Sequence, residues 1–244
     1  MRSVLVRLTL LVLLSHATTT FASITIDSGG SISLGNGLLD LAGGDLIVDG
    51  QFNLQDGDVS DAGNVVITGG LDGGTGSLLV LGDWINNGSF IAQTGQVTLF
   101  DSVGGSAQMV GDSIFFGLSL LSPAGGRFVL QSGSVQQVID ALTILGAPGQ
   151  PVQIESSNPP QIAELVLQAG GSQNIDFVGV SNVYATGEPL APDGTNQGGS
   201  GNAVGWFGFG SFDPLPIPAL SIPGLLLMML MMVAIARVGR ARVL

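Results

Sequence analysis

The chain has 244 residues, 39 of them Gly and none Cys, with a formal net charge of −12. Between Ser23 and Leu215 there is no Lys, no His and a single cation, Arg127, which removes the groups that carry most acid/base, nucleophilic and metal chemistry near neutral pH. One cation cannot neutralise a phosphate backbone, so nucleic acid is excluded as a partner, and zero Cys excludes a disulfide framework.

At the N-terminus Arg2 and Arg7 flank Ser3 to Val6, Leu8 to Leu14 supplies an apolar core, and Thr20-Phe21-Ala22 offers small residues for a signal peptidase. The pattern predicts a signal peptide over residues 1–22, cut after Ala22; a retained anchor is the alternative, against which the short apolar core argues. Export is the expectation, and every cation but Arg127 then serves membrane topology.

Residues 23–213 are enough for one sizeable domain. Short apolar runs are split by Gly, Asp, Asn and Ser, which is strand-and-turn punctuation, and no segment carries a convincing helical period. The runs recur. Leu46-Ile47-Val48, Val65-Val66-Ile67 and Trp84-Ile85 begin nineteen residues apart, and Leu142-Thr143-Ile144 and Leu165-Val166-Leu167 begin twenty-three apart. Between them stand Phe52-Asn53-Leu54, Leu78-Leu79-Val80, Val97-Thr98-Leu99, Phe128-Val129-Leu130 and Val152-Gln153-Ile154. Periods near twenty with two or three short strands each predict the coils of a right-handed parallel β-helix, in which each coil buries its apolar positions only against its neighbours. A β-sandwich is the alternative, since strands at roughly ten-residue spacing fit it too. Tight Gly, Asn and Asp turns favour the solenoid, although Asn36-Gly37 and Asn87-Gly88 leave a local hairpin open at each.

Candidate sites are few. Asp56, Asp58 and Asp61 could gather oxygen ligands for Ca²⁺, but Asp61 stands where an EF-hand requires Gly and Ile67 where it requires the closing Glu, so a solvated turn is the reading and no metal is expected. Asp56 and Asp58, two apart, could share a strand face as a glycosidase pair would, without any supporting His or Lys. Trp84, Trp206 and Tyr184 could stack on sugars; core plugs are the preferred reading. Arg127 is expected to pair with a neighbouring carboxylate, and Asn87-Gly88-Ser89 to be a turn rather than a glycosylation acceptor. No catalytic residue and no cofactor is predicted.

The tail, residues 214–244, holds Ile217 to Ala236 without a charge, followed by Arg237, Arg240 and Arg242. About twenty apolar residues suffice for a transmembrane helix, and the Arg cluster stays cytoplasmic, so the domain faces outward. An ordinary uncut tail anchor is the plainer reading.

Two resemblances follow from these residues. Ile217-Pro218-Ala219-Leu220-Ser221, with Gly224, the hydrophobic run and the Arg cluster, resembles the C-terminal sorting signals of Gram-negative bacteria, the IPTL type of the PEP-CTERM class. It departs from that type by Ala219 in place of Thr and by Ile222-Pro223 where an acidic residue and Trp usually stand. This resemblance implies an exosortase-type transpeptidase as a partner, which would read the motif Ile217, Pro218, Ala219, Leu220 and discard the helix. The second is carried by Gly82-Asp83-Trp84-Ile85-Asn86-Asn87-Gly88-Ser89-Phe90 with Gly95 to Phe100, by Ile144 to Ser157, by Ile175 to Ala185, and by the Trp-bearing Gly201 to Phe207. About half the chain is thus similar to bacterial secreted β-helix proteins, which include adhesins, surface-layer components and polysaccharide-active enzymes; the resemblance implies the fold more than a function. The expectation is an exported, non-enzymatic structural or adhesive protein, anchored in the inner membrane and then released to the cell surface or matrix. A carbohydrate-binding or Ca²⁺-dependent adhesin module and a polysaccharide-active enzyme are the alternatives, with extracellular polysaccharide as a further partner.

Overall fold

Runs of three to five Val, Ile and Leu residues bounded by Gly and Asx are too short for helices, and in the computed structural model, which describes residues 23–208, every regular element is a β-strand. The first coil holds β1 (Ile24–Ile26), β2 (Ser31–Ser33) and β3 (Leu38–Asp40), and the second holds β4 (Leu46–Val48), β5 (Gln51–Asn53) and β6 (Asp58–Ala62). The third holds β7 (Val65–Ile67), β8 (Gly70–Asp72) and β9 (Ser77–Val80), and the fourth β10 (Trp84–Asn86), β11 (Ser89–Ile91) and β12 (Gln96–Phe100). From there the strands lengthen: β13 (Ser106–Val110) leads into β14 (Ser113–Leu121), and β15 (Arg127–Leu130) into β16 (Val135–Leu145). Then come β17 (Val152–Ser156), β18 (Ala163–Leu167), β19 (Ser172–Asp176), β20 (Val178–Ser181) and β21 (Val183–Ala185).

The strands pair in parallel from coil to coil, giving a β-solenoid of about eight turns. The first face is the eight-stranded sheet β1-β4-β7-β10-β13-β15-β17-β20; the second stacks β2, β5, β8 and β11; the third sheet runs β3-β6-β9-β12-β14-β16-β18-β21, with β19 also paired to β16. Leu46 pairs with Val65 and Val65 with Trp84, so the nineteen-residue spacing is one coil. A β-sandwich is ruled out by these all-parallel ladders, since sandwich strands pair antiparallel.

Three expectations from spacing are corrected. Leu142 and Leu165 are not partners: Leu142 lies opposite Gln173, and Leu165 opposite Gln136. The long β16 crosses two faces of its coil, so the interval between apolar runs along the sequence no longer equals one turn. Neither Asn36-Gly37 nor Asn87-Gly88 closes a hairpin. They turn corners between strands that pair outside their own coil, β2 with β5 and β10 with β7 and β13.

Inward positions form stacked columns. Val59, Leu78, Val97, Leu118 and Leu142 follow one another in register, all buried, each contributing about 1.5–3 kcal/mol by burial. At the corners backbone meets backbone. A Cβ on Gly69 would stand 2.0 Å from the Gly50 carbonyl oxygen, and one on Gly76 1.8 Å from that of Gly57, so these corners admit only Gly.

After β21 the chain folds over the last coil. The Val180 N–H donates to Asn196 Oδ1 (2.8 Å), the Ala185 N–H to the Val204 oxygen (2.8 Å) and the Phe207 N–H to the Leu190 oxygen (2.9 Å). Leu190 and Trp206, both fully buried, bridge in parallel beneath this cover. The signal peptide of residues 1–22, the sorting motif Ile217 to Ser221, the hydrophobic tail and Arg237, Arg240 and Arg242 lie outside the described residues.

Candidate functional site

Most polar side chains next to the strands tie one coil to the next. Ahead of the first face, the Asn64 N–H and Nδ2 donate to Asp45 Oδ1 (2.8 and 3.0 Å), the Asp83 N–H to Asn64 Oδ1 (2.8 Å), and the Gln108 N–H to Asp83 Oδ1 (2.7 Å). The nineteen-residue repeat puts an Asx at each step. The amide of Asn64 separates two carboxylates that would otherwise repel across one strand spacing.

Asp56 and Asp58 belong to a similar ladder. Asp56 Oδ1 accepts from Thr75 Oγ1 (2.7 Å), and Asp58 Oδ1 from the Ser77 N–H (3.0 Å) and Oγ (2.6 Å). Asp61 sits on the bulge of β6 with φ of 50°. Asp56 and Asp58 each bind a residue of the third coil, and among the described residues no three His, Cys, Asp or Glu side chains are grouped to hold a metal.

Arg127 Nη1 stands 3.7 Å from Glu155 Oε2, both on the outer side of the first face, because Arg127 lies opposite Gln153 and Glu155 is two residues further on. Trp84 and Trp206 are fully buried, while Tyr184 is half-buried in β21. The Trp84 ring packs edge-on to Phe90 at 4.9 Å and tilted to Phe115 at 5.4 Å, and its Nε1 donates to Ser113 Oγ (3.0 Å). Asn87-Gly88-Ser89 is a corner between β10 and β11.

Sequence reasoning missed the break in the second face. β11 pairs with β8 but not with β14, so the stack of short strands stops at the fourth coil. At this seam the interior is polar: Asn86 takes the inward place held by Ile67 and Val48 in the coils before it. Its Nδ2 donates to the Asp112 oxygen (2.8 Å) and to Ser113 Oγ (3.1 Å), and Gln136 Nε2 donates to the Gly111 oxygen (2.7 Å). Asn86 Oδ1 and Gln136 Oε1 are buried without a partner among the described residues, at a cost of about 1–3 kcal/mol each if nothing fills the need. The signal was present as Asn in an otherwise aliphatic repeat position, followed by a longer coil.

Outside the seam a concavity of about 400 Å³ is walled by Asn86, Phe90, Asp112, Ile114 and Gln137. A second, of about 410 Å³, opens around Gly70 between Gln51 and Ser89. Ser89 borders both, so the second face carries a continuous shallow groove. Another hollow, of about 530 Å³, lies between β19 and residues 191–194 with Asp176 and Asp193 on its wall.

These features define a parallel β-solenoid with ladders of Asx, Ser and Thr between its coils and a polar groove on one face. Set against models of protein families, curated proteins and solved structures, the chain matches none of them.

Proposed function

We propose that the chain is an exported, non-enzymatic structural or adhesive protein of the cell surface or extracellular matrix. What carries this reading is the use made of its carboxylates: Asp45, Asp56, Asp58 and Asp83 accept hydrogen bonds from the next coil, so they serve cohesion of the stack. A glycosidase needs two carboxylates converging on one bond and a raised pKa on one of them. Asp56 and Asp58 are occupied separately, and the domain has no Lys, His or Cys to assist. The coil is right-handed in this reading, as parallel crossover connections overwhelmingly are.

The tail completes the proposal. A signal helix is removed after Ala22, and the apolar run up to Ala236 holds the chain in the inner membrane with Arg237, Arg240 and Arg242 in the cytoplasm. An exosortase-type transpeptidase then reads Ile217, Pro218, Ala219, Leu220 and Ser221 at the outer side and releases the domain. Mass spectrometry of the protein from its native host tests both ends. Mature protein beginning at Ser23 and lacking Leu244, with Pro218→Ala retained at full tail length in the membrane, is the expected result. A wild-type product that still carries Leu244, unchanged in size and location by Pro218→Ala, would reduce the tail to an anchor.

A further inference from the structure

We propose that the groove on the second face binds an extended neutral polysaccharide laid along the stack of coils. Its first support is register. Ser31, Gln51, Gly70 and Ser89 lie opposite one another on successive strands, on the outer side of the face, while Phe52 and Leu71 between them point inward. Parallel strands stand ~4.8 Å apart, close to the advance of one pyranose along an extended glycan. A chain running across the strands therefore meets a hydroxyl or amide at nearly every sugar, with the flexible Gln51 carboxamide lying over the side-chain-free Gly70.

Chemistry points the same way. The Gln51, Ser89 and Gln137 side chains make no hydrogen bond within the described residues, unlike the ladder residues at the corners, and amides and hydroxyls both donate and accept as sugar hydroxyls do. At the seam the half-buried Phe90 and the exposed Ile114 add an apolar wall, the mix of apolar surface and few polar groups usual in ligand sites.

Charge selects the class of polymer. The groove offers no cation, and the chain carries a net −12, so an anionic polymer would be repelled. Asp72 and Asp112 are the carboxylates bordering the two concavities. Both accept a backbone N–H, from Gly74 and Val135 respectively, but keep their charge and further acceptor sites, so a basic polypeptide is the rival occupant that the polylysine comparator tests.

The inference deepens the adhesive reading and rests on it only for the biological setting. Failed glycan retention with normal export and sorting would sink the groove alone; failed export would sink the surface reading with retention still measurable. The test incubates full-length protein in detergent with insoluble cellulose, xylan, mannan and amylose at about 0.15 M salt, with alginate and polylysine beads as anionic and cationic comparators. Gly70→Gln fills the groove, since a Cβ there meets only the flexible end of Gln51, and Gln137→Ala removes a hydrogen-bonding group at the seam. Retention on at least one neutral polymer is expected, weakened roughly tenfold by each substitution at unchanged thermal stability. No retention on any neutral polymer, retention confined to polylysine, or equal binding by both variants that remain folded would overturn it.

Discussion

At the residue scale, neighbouring glycines have opposite roles. A methyl at Gly69 would run into the Gly50 carbonyl oxygen, which cannot yield without opening the stack, whereas one at Gly70 meets only the Gln51 carboxamide, which can swing away. Gly69→Ala should therefore lose more than about 2 kcal/mol in urea unfolding, and Gly70→Ala less than about 0.5 kcal/mol. Equal losses would show that the corner is not close-packed. Asn64 supports a second expectation, because it stands between the carboxylates of Asp45 and Asp83. Asn64→Asp removes the Nδ2 donor and lines up three negative charges, so stability should fall by about 1–2 kcal/mol at pH 7 and recover in part at high salt. A loss independent of salt would assign the effect to the donor alone. The Asx and Gly residues were readable in the sequence as turn formers. Their stacking was not, because it depends on which residue lies one coil away.

In the first four coils an individual strand buries at most two side chains, too few for stability by itself. Cohesion comes from columns such as Val59, Leu78, Val97, Leu118 and Leu142, so Leu78→Ala, which opens the column in the middle, should cost about 2–5 kcal/mol and loosen the coils on both sides. Hydrogen exchange that quickens at β6 and β12 as well as β9 would display this nearest-neighbour coupling; a purely local change would contradict it. The regular coils, where spacing stays at nineteen, were legible from sequence. Between Ser113 and Asp176 they were not, because β14 and β16 each cross from one face to the next with an irregular register at Phe115/Gly117. Leu142 and Leu165 therefore looked like successive rungs although they belong to different columns.

For the whole molecule, the strands account for every regular element of the described residues, so circular dichroism of residues 23–208 should be strand-dominated. A helix-dominated spectrum would be incompatible with the solenoid. Polysaccharide turnover should be undetectable against acidic and neutral polymers alike. Turnover abolished by Asp56→Ala or Asp58→Ala would contradict the ladder role of those carboxylates and replace the structural reading with an enzymatic one.

Sequence alone determined the class of architecture and the poverty of reactive groups, because both follow from composition and local period: a repeat near twenty with Gly and Asx corners can bury its apolar positions only by stacking, and missing Lys, His and Cys cannot be restored by folding. Tertiary structure decided the rest. Whether Asp56 and Asp58 converge, which tryptophans are buried, and where the second face breaks all depend on the residue opposite in the next coil. That partner changes as soon as coil length departs from nineteen, which is why the seam at Asn86 and the groove beside it emerge only from the folded stack.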